Sequence, residues 1–120
     1  MDVNVMAKPR PNGVCLILIQ GDIGNDTVDV FNTKIEEIIK KPTRNYIMDF
    51  AEVRYLDSVG VGAVTEALKR AKSIQGNIKF INLSSMTMEL FEMTRLTKVL
   101  KIYESEEDAL NSYGFASSVR

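Results

Sequence analysis

Residues 46–71 read YIMDFAEVRYLDSVGVGAVTEALKRA, and this stretch decides the class of fold. Residues 46–50 are a short apolar run, which predicts a strand. Residues 51–57, which carry Glu52, Arg54 and Asp57, are expected to be a loop. Beyond them Val61, Val64, Leu68 and Ala71 recur at the spacing of one helix face, with Ala67 and Ile74 widening the stripe. Ser58 stands where a helix N-cap belongs, its hydroxyl placed to accept a bond from a first-turn N–H. Gly60 and Gly62 fall in that same turn, where each costs up to about 1 kcal/mol relative to Ala. Close approach of another backbone, or of a partner protein, to this helix start would favour them.

Working outward, residues 14–20 are almost continuously apolar and predict a strand covered on both faces. Before them, Val3 and Val5 alternate with polar residues as a weak strand, and residues 8–13 (KPRPNG) form a turn. Residues 21–26 (GDIGND) predict a loop in which Asp26 caps a helix carrying Val28, Phe31, Ile35, Ile38 and Ile39. Pro42, just after Lys40 and Lys41, stops that helix. Downstream of residue 71, Gly76 suits a left-handed helix end, and residues 78–81 are a strand. Ser84 or Ser85 opens a third helix whose buried stripe is Met86, Leu90 and Met93. Phe91, off that stripe, is expected at the surface. Residues 100–103 predict a last strand, and Ser105 with Glu106, Glu107 and Asp108 opens a final helix around Ala109, Leu110 and Tyr113. Residues 114–120 are expected to fray.

The order is β-β-α-β-α-β-α-β-α. Strands that alternate with helices need crossovers, so the expectation is an α/β fold: one mixed, mostly parallel sheet of four to five strands, flanked by about four helices. The short first connection makes the first pair antiparallel. Loops that follow parallel strands gather on one sheet edge, which would bring Asp22 and Asp26 near Ser58.

The 120 residues fit one domain, with a core of about 14–113. With 15 Lys+Arg against 16 Asp+Glu and no basic stripe, nucleic acid is not an expected direct partner. The longest apolar run, residues 14–19, falls far short of the ~20 residues needed to cross a bilayer. The N-terminus has no signal-peptide pattern, so the protein is expected in the cytoplasm. The absence of histidine removes Ser-His-Asp and Cys-His chemistry, and with one cysteine a structural zinc site is excluded. Cys15 reads as a small buried hydrophobe. No phosphate-cradling glycine motif occurs. Asp49, Glu52 and Asp57 read as solvated loop residues, and neither a cofactor nor an enzymatic activity is expected.

In order and spacing, several segments resemble the STAS domain, specifically the free-standing bacterial anti-sigma factor antagonists. Leu56-Asp57-Ser58-Val59-Gly60-Val61-Gly62 resembles the family's Asp-Ser-[Ser/Ala]-Gly-[Leu/Val]-Gly helix start. Gly21-Asp22-Ile23, Gly76-Asn77-Ile78-Lys79-Phe80, the stretch from Leu90 to Leu96 and the acidic residues 103–110 resemble further family segments in the same order. The resemblance implies function by binding. The unmodified protein would bind an anti-sigma factor that is a GHKL-type serine kinase, freeing a sigma factor. That kinase would phosphorylate Ser58 and end the complex, and a PP2C-type phosphatase would reverse it, ATP belonging to the kinase alone. Asp22, Asn25, Asp26, Asp57, Val59, Gly60, Val61 and Phe91 are then the expected partner-facing residues. Three positions depart from the pattern: Gly24 where many members carry Asp, Val59 where a small residue is usual, and Arg95 where Gly is common. The rival reading is a non-switching scaffold subunit, like the STAS proteins under lipid-transport ABC complexes, in which Ser58 only caps its helix.

Overall fold

The apolar run that begins at Val14 forms the second strand of a five-stranded sheet in the computed structural model, which describes residues 2–114. The elements are β1 (Val3–Pro9), β2 (Val14–Ile23), α1 (Val28–Ile38), β3 (Asn45–Leu56), α2 (Ser58–Ser73), β4 (Asn77–Ile81), α3 (Ser85–Met93), β5 (Lys101–Tyr103) and α4 (Glu106–Ser112), with 3₁₀ turns at Pro11–Gly13 and Leu96–Lys98. Strand order follows chain order. The β1–β2 pair is antiparallel and the other three pairs are parallel, because a four-residue turn can reverse the chain while a crossover helix returns it.

Two-residue periodicity divides the sheet into two faces. Ile17 and Ile19 of β2, Tyr46, Met48 and Phe50 of β3, and Ile78 and Phe80 of β4 point to the face covered by α1, α2 and α3. Half-buried Cys15 joins this face, and desolvation pushes its thiol pKa up. Val14, Leu16, Ile47 and Ile81 point the other way and meet Ala109 and Leu110 of α4 and Tyr113 just after it. Consecutive parallel strands with right-handed crossovers place their helices on one face, so a helix after the last strand is needed to close the second.

Polar anchors hold α4 there. Ser105 caps it by accepting from the Asp108 N–H at 3.0 Å. Arg10 donates to Glu106 from the first turn region. Lys79, buried on β4, donates to the Ser112 carbonyl at 3.1 Å and to its hydroxyl at 2.7 Å, with its ammonium 4.1 Å from the Tyr113 ring centre. The Tyr113 hydroxyl donates to the Tyr46 carbonyl at 2.7 Å, and burial raises its pKa above the ordinary phenol value.

Three boundaries depart from the sequence expectation. Residues 51–56 are strand, not loop. Beyond Asp49 the strand β3 has no β4 partner and pairs with β2 alone, so it becomes largely exposed and admits Glu52 and Arg54 although its ladder continues. Residues 21–23 are likewise strand; the register irregularities after Leu18 and Gly21 put the extra residue on β3, and Gly21 and Asp22 read as a turn only by residue type. The left-handed residue closing α2 is Gln75 (φ 65°), not Gly76. Gly76 serves close packing instead, since a Cβ there would lie 2.2 Å from the Arg44 carbonyl oxygen.

The third helix is rotated from its expected phase. Met86 and Met93 are 82% and 75% exposed, while Phe91 is fully buried. Phe91 packs edge-on against Phe50, with ring centres 6.1 Å apart and planes at 78°. The Ser84 cap sets the start of α3, and the buried stripe is Thr87 and Phe91, with Leu90 at its edge. Phe91→Ala should therefore lose about 3–5 kcal/mol, whereas Met93→Gln should change stability by less than about 0.5 kcal/mol. Urea unfolding of the two variants checks this; equal losses would mean that the helix phase is wrong.

Candidate functional site

The parallel pairing of β2 and β3 runs to the ends of both strands, with Asp22 opposite Tyr55 and Ile23 opposite Leu56. The two following loops therefore leave the sheet side by side. The Asp57 N–H faces the Ile23 carbonyl at 3.4 Å, and the helix α2 starts one residue later. Gly60 makes this approach possible: a Cβ there would sit 2.0 Å from the Ile23 carbonyl oxygen. Gly62, in the same turn, has nothing within 4 Å of such a Cβ. The close backbone approach expected from the sequence thus accounts for Gly60 and leaves Gly62 at an open surface.

The cap of α2 is Asp57, not Ser58. Its Oδ1 accepts from the Gly60 N–H at 2.9 Å, while Ser58 is the first helical residue and is exposed. Moving the cap one residue back leaves the Ser58 hydroxyl unspent on capping. The Oδ2 of the same carboxylate accepts from the Asn25 N–H at 3.3 Å. One side chain therefore serves both loops. The cap of α1 also differs from expectation: Thr27 occupies that position, not Asp26. The Thr27 hydroxyl donates to the Asp22 carbonyl at 2.7 Å and accepts from the Gly24 N–H at 3.0 Å, which holds the β2–α1 loop in shape and leaves Asp26 exposed.

Asp22, Asn25, Asp26, Tyr55 and Asp57 line one shallow cleft of about 200 Å³. Asp22 is buried, and its carboxylate lies 3.6 Å from the Arg54 guanidinium, which is also 3.6 Å from Asp2. It is thus a support beneath the cleft rather than an exposed contact. Of the helix-start residues, Val59 is exposed, but Gly60 and Val61 are buried against the body of the protein. Val61 lies on the inward stripe of α2, and Gly60 lies under β2. Phe91 belongs to the core for the reason given above. The accessible part of the expected surface is accordingly Asn25, Asp26, Asp57, Ser58 and Val59.

Tyr55 was not singled out by the sequence reading. It is 46% exposed beside Asp57, at the end of a strand that had been read as loop. Its signal was an aromatic residue between Arg54 and Asp57 next to the expected site, since aromatics are enriched at interfaces.

The STAS domain family model matches residues 5–109 of the chain. The chain belongs to the STAS domain family. It is 28% identical over 107 residues to the anti-sigma-B factor antagonist of Bacillus subtilis, covering 89% of this chain and 96% of that protein. It is 27% identical over 106 residues to the anti-sigma-B factor antagonist of Listeria monocytogenes, covering 88% and 93%. The crystal structure of an anti-sigma factor antagonist from Mycobacterium paratuberculosis shares the fold, with a TM-score of 0.81 at 19% identity over 92% of each chain.

Two stability predictions follow from the geometry of this STAS helix start. Asp57→Ala should cost about 1 kcal/mol as a lost cap, roughly 3–5 °C in Tm for a chain of this size, whereas Ser58→Ala should stay within about 0.5 kcal/mol of wild type. The opposite order in melting curves would return the cap to Ser58. Gly62→Ala should stabilise the helix by up to about 1 kcal/mol. Gly60→Ala should be strongly destabilising, because backbone on backbone has no room to give; similar behaviour of the two glycine variants would contradict the packing described.

Proposed function

We propose that this STAS chain is an anti-sigma factor antagonist. In this reading it binds an anti-sigma factor of the GHKL serine-kinase class through the start of α2 and the adjacent β2–α1 loop, and so frees a sigma factor. Phosphorylation of Ser58 by that kinase ends the binding, and a PP2C-type phosphatase restores it. The chain contributes a surface and a phosphoacceptor, the ATP site lies on the kinase, and the reaction belongs to the bacterial cytoplasm. The observation that carries this reading is the exposed Ser58 hydroxyl at the first position of a 16-residue helix whose cap is made by its neighbour. The names of the relatives agree with it.

The physical logic is one of charge. A phosphoserine adds about −1.5 to −2 charge at neutral pH. In the free protein the positive end of the α2 dipole offsets part of this, worth about 0.3–1 kcal/mol near the surface. In a complex the phosphate would leave water beside the carboxylates of Asp57 and Asp26. Arg54, the nearest basic residue in sequence, is already engaged by Asp22 and Asp2. An unpaired buried charge costs several kcal/mol, and each 1.4 kcal/mol is about tenfold in affinity. The fold tolerates the phosphate and the interface does not.

Ser58→Asp should weaken binding to the purified anti-sigma factor by at least about tenfold with its melting curve nearly unchanged. Ser58→Ala should bind like wild type and resist release on addition of ATP. Calorimetric titration of the three proteins measures this. Equal affinity of wild type and Ser58→Asp would remove the switch and favour a non-switching scaffold.

A further inference from the structure

The carboxylate of Asp57 touches both the start of α2 and the β2–α1 loop. Its Oδ1 holds the Gly60 N–H of α2 at 2.9 Å and its Oδ2 holds the Asn25 N–H of the β2–α1 loop at 3.3 Å. The second contact exists because residue 24 has no side chain. A Cβ on Gly24 would come within 2.8 Å of that same Oδ2 and 3.2 Å of the Tyr55 ring. Glycine at position 24 lets the loop close onto Asp57, and Asp57 closes it.

From this arrangement we infer that Asp57 is a relay: a negative charge placed on Ser58 acts on Asn25 and Asp26 by displacing the Asp57 carboxylate from the Asn25 N–H. Two anionic groups on consecutive residues of one helix start repel each other. They also compete for the positive end of the same helix. The carboxylate therefore yields at one of its contacts. The cap bond to Gly60 is shorter, and it is reinforced by the helix dipole. The contact to Asn25 is longer and comes from an exposed loop, so it is the one released. The rest of the loop stays tethered, because the Thr27 hydroxyl binds it from the opposite side through Asp22 and Gly24. The released part is the exposed pair Asn25 and Asp26. Modification at Ser58 would then alter the recognition surface at two places, the serine itself and the neighbouring loop.

This inference rests on the reading of Ser58 as the modified residue, but its test needs no partner. The probe is the Asn25 amide, followed by NMR as its proton shift and its rate of exchange with water, in wild type, Ser58→Glu, Ser58→Gln, Asp57→Asn and the Asp57→Asn/Ser58→Glu double variant. Asn at position 57 keeps a good cap but replaces the oxygen that faces Asn25 with an amide that has lost its charge. Ser58→Glu should speed Asn25 exchange by about tenfold or more, the effect of losing one charge-assisted hydrogen bond, and move its proton upfield. Ser58→Gln should leave both unchanged. Asp57→Asn alone should reproduce the released state, with no further change in the double variant. Amides of the α2 interior, such as Val64, should stay protected in all five proteins, which separates a local release from a loss of fold. An unchanged Asn25 amide in Ser58→Glu overturns the relay, as does a change of equal size with and without Asp57. Loss of partner affinity in Ser58→Glu with a silent Asn25 would keep the functional reading and discard the relay. A responsive Asn25 with undiminished affinity would do the reverse.

Discussion

The parallel ladder between β2 and β3 reaches the last residue of each strand, and the site depends on it. Because Ile23 lies opposite Leu56, the loop after β2 and the start of α2 leave the sheet at one point. The contact is tight enough that position 60 accepts no side chain, and it puts the Asp57 carboxylate within reach of both segments. A shorter pairing would separate Asn25 and Asp26 from Ser58, leaving an isolated serine on an ordinary helix. The exposed tail of β3 is thus not a fraying end. It carries the sheet past β4 to the place where the exposed residues gather.

The rest of the architecture follows from the direction of the strands. With α1, α2 and α3 on one face, the opposite face depends on α4, which has seven residues and is too short to hold its shape alone. Its attachment is correspondingly polar: an N-terminal serine cap, an ion pair to Arg10, and the buried Lys79 ammonium between Ser112 and Tyr113. Lys79 places a positive charge near the C-terminal carbonyls of α4, where the helix dipole favours it. These contacts lie on the sheet face away from the helix α2, so the means that complete the fold are separate from those that present Ser58.

Much of this was legible in the sequence. The alternation of strands and amphipathic helices gives the element order and the mixed sheet, since periods of two and 3.6 are visible wherever one side of an element is solvated. Reading failed where that contrast is lost. Residues 51–56 pair on one side only and are largely exposed, with Glu52 and Arg54 among them, so they resemble loop. Both register irregularities place their extra residue on β3, so its inward positions shift from Met48 and Phe50 to Val53 and Leu56, while in β2 Gly21 and Asp22 simply imitate a turn. In α3, nine residues span little more than two turns, and methionines on the solvent side imitate an apolar stripe while Thr87 interrupts the true one. That error moved Phe91 to the surface and the methionines to the core. At the site, Asp57 and Ser58 are both good caps, and composition alone does not choose between adjacent caps. The choice comes from the loop after β2, which holds Asp57 through the Asn25 N–H, a contact between residues 32 apart in sequence.

The central claim is that the charge state of one exposed serine decides whether this STAS surface is occupied. Its most direct measurement is native mass spectrometry of the complex with the anti-sigma factor, sampled over time after ATP is added, with the phosphate located by fragmentation. The account predicts a single phosphate on Ser58, found only on chain that has left the complex, and reassociation after phosphatase treatment. Phosphate on another residue, or phosphorylated Ser58 persisting within an intact complex, would contradict it.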